Sequence, residues 1–207
     1  LIGFCGSPWT LAAYSIEGRS SKDFEKTLNF LVSNQKDVHN LLTKYTDACF
    51  LYLRRQVQSG ADVIQIFDSW ANLLTKEGLI EYSFNYINAL ISALKLDPVT
   101  KNIPVIVFAR NPKCNIEGLI NTSADCISLF WSMNDLNFEL AKNKVAIQGN
   151  LDPKILLESD EIIKRETYKI LEKFEKYPGY IFNLGHGITP DINPDKIKYL
   201  TNIVREY

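Results

Sequence analysis

Six short apolar runs separated by amphipathic stretches constrain this chain more than any other feature. They are "LIGFCG" (1–6), "DVIQIFD" (62–68), "PVIVFAR" (104–110), "DCISLF" (125–130), "KVAIQGN" (144–150) and "YIFNLG" (180–185). They are apolar almost throughout rather than alternating, as expected of parallel strands buried on both faces. Helical spacing predicts helices over 22–33, 37–59, 76–96, 116–123 and 136–143. In the third of these, Leu79, Tyr82, Tyr86, Leu90 and Leu94 recur at intervals of three and four. Asp152 and Pro153, good N-cap and first-turn residues, open a helical segment running to Tyr177, and a last helix runs from Asn193-Pro194 to Tyr207. Strands that alternate with helices make a parallel α/β fold, either a (β/α)8 barrel or an open doubly wound sheet. The glycine-rich dinucleotide fingerprint is absent, which weighs against the open cofactor-binding sheet, while six strand–helix units are two short of a barrel.

The 207 residues suit one domain, 1–207, with a sizeable core. Hydrophobic residues make up 46% and charged residues 23%, which excludes a disordered chain. A net charge of −1 gives no global attraction to nucleic acid or to an anionic membrane. No apolar run approaches the roughly 18 residues of a membrane span. Cys5, Cys49, Cys114 and Cys126 form no CxxC pair and no Cys/His cluster, so buried reduced thiols are expected rather than disulfides or a zinc site. With no signal peptide, the expected compartment is the cytoplasm.

Chemistry in parallel α/β folds gathers where strands hand over to the following loops. Here those handovers read "GSPWTLAAYSIEG", "FDSWAN", "QGNLDP" and "NLGHGITP". His186 is one of two histidines, and Gly185 and Gly187 on either side leave room for its ring and an exposed backbone. Its imidazole is either a structural hydrogen-bonding group or one that holds a carboxylate or donates a proton near neutral pH. His39 falls inside an amphipathic helix and reads as surface or packing. Ser69 caps a turn or faces a ligand, Asp68 caps the same turn, and Tyr14 lies in the loop after the first strand. Asp152 reads as a helix cap. Of the arginines, only Arg19 and Arg110 lie near strand ends, so local capacity to hold an anion is thin.

Taken together, "LIGFCGSPWTLAAYSIEG", "GADVIQIFDSWA", "QGNLDP" and "FNLGHGITP" resemble uroporphyrinogen decarboxylases, in that family's order and from residue 1 to about 190. The terminal "IKYLTNIVREY" is similar to the family's C-terminal helix. The resemblance implies a (β/α)8 barrel, usually homodimeric, with a cleft at the C-terminal ends of the strands. It implies decarboxylation, without any cofactor, of the four acetate side chains of uroporphyrinogen to methyls, giving coproporphyrinogen. Tyr14, Ser69 and His186 match the family's active-site Tyr, Ser and His, and Phe67 would line the cleft.

The family also carries an arginine-rich segment and an Asp ahead of the motif matched by residues 1–18, which this sequence does not contain. The expectation is a barrel lacking its first strands, whether as a fragment, a partly sequenced protein or a degraded gene product, and one alternative is a non-catalytic chain that only binds a tetrapyrrole. Asn72 stands where the family usually has Gly, and "RNPKCN" where it has a Gly-containing turn. The related corrinoid methyltransferases share the barrel but bind zinc through His and Cys. "GHGI" has no following Cys, which counts against them.

Overall fold

The structure is a computed structural model describing residues 1–19, 21, 23–110, 116–133, 141, 142 and 144–207. Cys114, the "PKCN" segment and most of the helix expected over 136–143 lie outside the described residues. Two compact units are present, Leu1–Ile127 and Ser128–Tyr207.

In the first unit, β1 (Ile2–Gly6), β2 (Val63–Asp68) and β3 (Val105–Ala109) pair in chain order, all parallel. Ile2 faces Val63 through to Gly6 facing Phe67, and Ile64 faces Val105 through to Asp68 facing Ala109. Parallel neighbours require crossovers, which are supplied by α1 (Pro8–Glu17), α2 (Glu25–Ser33), α3 (Gln35–Gln58) and a continuous helix from Lys76 to Leu96. That last helix is α4 (Lys76–Gly78), a π-helical stretch over Leu79–Phe84, and α5 (Asn85–Leu96). Leu79, Tyr82, Leu90 and Leu94 are buried as their spacing requires, whereas the π turn also turns Ser83 and Phe84 inward. Ile64 and Ile66 of β2 and Leu42, Leu53, Ile87 and Leu90 of the helices are wholly buried, each contributing about 1.5–3 kcal/mol of apolar burial. In β1, Gly3 and Cys5 are buried while Ile2 and Phe4 are exposed, the period-two signature of a strand with two different faces. The unit closes with α6 (Ile116–Ile120) and the start of β4 (Cys126–Ser128).

Helix α1 departs from the sequence reading, which made "GSPWTLAAYSIEG" a loop. Ser7 is its N-cap and Pro8 its first residue; the Ser7 hydroxyl accepts from Thr10 N at 3.0 Å. Tyr14 is therefore a helical residue.

The second unit contains β5 (Ala146–Gln148), α7 (Asp160–Phe174), β6 (Tyr180–Ile181) and α8 (Pro194–Glu206). β5 and β6 are parallel, with Ile147 opposite Tyr180, and a further parallel bridge joins Leu151 to Leu184. Its core joins Leu151, Leu156, Ile163, Ile192, Leu200 and Ile203. Asp152 does cap, accepting from Lys154 N at 3.0 Å, but it caps only a short 3₁₀ turn over Pro153–Leu157. Glu158 then extends the chain, and Ser159 caps α7 separately. The single segment expected from Asp152 to Tyr177 is thus two.

Cys5, Cys49 and Cys126 are buried free thiols. His39 is half-buried against Tyr82 and bonded to Tyr86 (Nδ1 to Oη, 2.7 Å), a packing role as expected. Among the described residues no helix is long and apolar enough to cross a membrane.

Candidate active site

The C-terminal end of β2 organises the first unit's share of the candidate residues. In an extended strand neighbouring side chains point to opposite faces, so Phe67 and Asp68 part company. The Phe67 ring meets Phe4 of β1 (centroids 6.0 Å apart) and Phe108 of β3 (5.9 Å), placing it in an aromatic row across three strands. Asp68 is completely buried.

The Asp68 carboxylate is not the turn cap expected from sequence. It accepts from Ser7 Oγ at 2.8 Å, from Thr10 Oγ1 at 3.0 Å and from the Ser83 hydroxyl. Ser7 and Thr10 open α1, and Ser83 belongs to the π turn, so one carboxylate ties two helical segments to β2. Burial pushes its pKa up, and the hydroxyls of Ser83, Ser7 and Thr10 partly offset that by favouring the charged form. The same joint has a backbone part. Ser7 N donates to Phe67 O at 2.8 Å, Trp70 N to Thr10 Oγ1 at 3.4 Å, and Trp9 Nε1 to Trp70 O at 3.0 Å.

Ser69 and Trp70 follow directly, both half-buried. Trp70 was not singled out by sequence, yet its ring is the hub of this site. It packs on the wholly buried Phe24 at 4.3 Å, meets Tyr14 edge-on at 5.8 Å, and lies 5.9 Å from the guanidinium carbon of Arg110. Its Nε1 is buried without a hydrogen-bond partner among the described residues. Tyr14 remains 40% exposed. The structure thus brings Tyr14 and Arg110 to one indole, with Ser69 the residue before it in the chain and Phe67 two residues before Ser69. The signal that could have found Trp70 is an aromatic directly after a strand-ending Asp-Ser.

His186 belongs to the second unit. It is exposed, lies edge-on to Phe130 at 5.8 Å, and its Nδ1 is 3.3 Å from Gly187 O. Its two glycines play different parts, not the shared one expected. Gly185 is buried, donates to Leu151 O at 2.8 Å, and would place a Cβ 2.4 Å from Trp131 N. Gly187 is exposed with no heavy atom within 4 Å of a Cβ. Gly185 is thus required by close backbone approach, and only Gly187 gives the ring room. In the preceding "QGN", Asn150 is buried and its Nδ2 donates to Phe130 O at 3.2 Å, holding the backbone beside the ring that His186 touches. Among the described residues no three His, Cys, Asp or Glu side chains converge as a metal site.

Comparison with known proteins completes the picture. The family model for uroporphyrinogen decarboxylase matches residues 1–207. Uroporphyrinogen decarboxylases of Ruthia magnifica and Alcanivorax borkumensis are 41% and 40% identical across the whole chain, covering 60% and 59% of those proteins. The chain therefore spans about 60% of the length of these curated relatives. A solved methyltransferase from Methanosarcina mazei covers 99% of the chain and 58% of its own length with a TM-score of 0.77. At 18% identity that likeness is one of fold, and it supports the parallel α/β class of the barrel type over the doubly wound sheet. The chain belongs to the uroporphyrinogen decarboxylase family.

Proposed function

We propose that this chain is part of an enzyme that decarboxylates the four acetate side chains of uroporphyrinogen III to methyl groups, giving coproporphyrinogen III for haem synthesis. The observation that carries the reading is the family match over all 207 residues. The cluster in which Tyr14 and the residue after Ser69 share one contact supports it. The same reading takes residues 1–207 as one partial barrel domain of a homodimeric cytoplasmic protein with no nucleic-acid or membrane partner.

Loss of CO2 from an acetate leaves an electron pair on the methylene carbon. Protonating the adjacent pyrrole carbon turns the ring into the electron sink, a second proton on the methylene then yields the methyl, and the ring carbon gives up the first proton to restore the pyrrole. No cofactor is needed if the protein binds the polyanion, delivers the proton, and keeps the reacting carboxylate poorly solvated. In this reading Tyr14 and Ser69 hydrogen-bond the reacting carboxylate or the acid beside it. Phe67 supplies an apolar wall for the macrocycle, and His186 anchors a side-chain carboxylate.

The test is anaerobic incubation of the protein with uroporphyrinogen III, then chromatography of the oxidised products, with circular dichroism on the same sample. Porphyrins with seven down to four carboxylates are expected. Folded protein that leaves the octacarboxylate unchanged, both alone and with the upstream segment of a relative joined to it, refutes the proposal, and metal analysis of that sample then tests the methyltransferase chemistry.

A further inference from the structure

We propose that Cys5 and Cys49 form a dithiol modification site, at which oxidation by a peroxide cross-links β1 to the middle of α3. The inference stands apart from the decarboxylase reading and uses none of the residues assigned to that chemistry.

The pairing follows from how α3 lies on β1. Gly3 and Cys5, two apart in an extended strand, share one face, and both are buried. On that face a Cβ at Gly3 would meet Gln56 Oε1 at 2.6 Å and Gln56 Cβ at 3.3 Å, so the glycine lets the helix approach closely. Gln56 also fixes the register. Phe4 N donates to its Oε1 at 2.7 Å, and its Nε2 donates to Phe4 O at 2.9 Å. Cys49 lies two turns earlier on the same side of α3. Its Sγ donates to Gly6 O at 3.5 Å, which seats the sulfur beside the Cys5–Gly6 peptide. The Cys5 and Cys49 thiols also hydrogen-bond each other. Both are free thiols, 6% and 2% exposed.

The contact gives the two sulfurs different parts. A hydrogen bond from Cys5 favours the thiolate of Cys49 and lowers its pKa, whereas the same bond and burial push the Cys5 thiol far up. Cys49 is therefore the attacking sulfur. Its thiolate attacks one peroxide oxygen, the O–O bond breaks, hydroxide leaves and takes up the thiol's proton as water, and Cys49 becomes a sulfenic acid. That group is neutral, so the charge that held the Cys5 proton is gone. The Cys5 sulfur then attacks the Cys49 sulfur, the S–S bond forms, and the hydroxyl departs with the Cys5 proton as water. Two thiols and one peroxide give one disulfide and two waters. Cys126, whose thiol burial pushes up to about 12, is the inert comparison.

The experiment treats the folded protein with hydrogen peroxide, a probe little larger than water because both sulfurs are buried. Remaining thiols are alkylated in denaturant, and tryptic peptides are read by mass spectrometry without reduction. The expected product links peptides 1–19 and 45–54, is lighter by two hydrogens than their sum, and is separated by a dithiol reductant. The urea midpoint of the oxidised protein is expected to rise above that of the reduced one, because the bridge constrains the unfolded chain. Cys126→Ala is expected to give the same link and the same rise, and Cys49→Ala neither. Should Cys49→Ala fold poorly, the wild-type peptide map decides alone. Cys5 and Cys49 both recovered as alkylated thiols, a sulfinic acid at Cys49 without the link, or a link that forms only in urea would each overturn the proposal. A link accompanied by a lower midpoint would overturn it too, since strand and helix would then have to separate to make the bond.

Discussion

Gly185→Ala is the sharpest test of how the Gly-His-Gly segment is built. An added Cβ would lie 2.4 Å from Trp131 N and 2.6 Å from Trp131 Cα, both backbone atoms. That is roughly 1 Å inside normal contact, so one main chain must move against the other. The strand end cannot simply retreat, because Gly185 N donates to Leu151 O at 2.8 Å and Leu151 is bridged to Leu184. Overpacking of this kind costs about 1–3 kcal/mol, and losing the amide bond adds about 1 kcal/mol. The expected destabilisation is therefore about 3 kcal/mol. Gly187→Ala, one residue beyond His186 with open space at its Cβ, is expected to change stability by less than about 0.5 kcal/mol.

Urea unfolding of wild type and both variants, read by circular dichroism at one pH, gives the comparison directly. Two glycines a single residue apart should differ by most of the worked magnitude. Equal midpoints for the two alanine variants would refute the assignment of Gly185 to backbone approach. They would also remove the account of how His186 is held beside Phe130.

Asp68 gives a pH test. Its folded pKa is raised, so its favourable contribution is fully present below the unfolded value and is lost as pH rises through the folded one. Wild type should therefore lose stability relative to Asp68→Asn as pH rises from about 4; parallel urea midpoints across that range would contradict the burial argument. Phe24→Ala removes a fully buried ring 4.3 Å from Trp70 and should cost about 3–5 kcal/mol. In urea, a loss under 1 kcal/mol, with unchanged tryptophan emission, would mean the Phe24–Trp70 contact does not support the site.

The strands were legible because parallel strands are apolar on both faces, and the unbroken apolar run Val105–Ala109, buried at every position, carries that signal without help from distant residues. Helix α1 was hidden by its own start. Gly6, Ser7 and Pro8 look like a loop when counted as turn formers, yet Ser followed by Pro is also a helix cap and first residue. Local composition could not choose between them; the tie of Ser7 to Asp68 did. The π turn was invisible for a related reason, since Leu79, Tyr82 and Tyr86 keep ordinary helical spacing through it. Of the candidate residues, Tyr14, Ser69, Phe67 and His186 could be named from short motifs. Trp70 and Asp68 act through partners at positions 7, 9, 10, 14, 24, 83 and 110, and no sequence window spans those.

Asp68 is a costly choice for a core position. A carboxylate wholly removed from water is disfavoured, and its listeners here are three hydroxyls rather than a cation. An apolar residue of similar size would pack the same space with less penalty. What the carboxylate adds is direction. Its oxygens accept from Ser7 and Thr10, which set the position of the first turn of α1, and Tyr14 lies one turn beyond Thr10 on that same helix. The peptide on its other side leads to Ser69 and Trp70. A slip of α1 along β2 would carry Tyr14 away from the indole by the rise of each residue slipped, about 1.5 Å, and would break two buried hydrogen bonds at once. Stability lost to burial is thus exchanged for a fixed distance between the Tyr14 ring and the residue that follows Ser69, which is what the proposed site would require to orient a carboxylate.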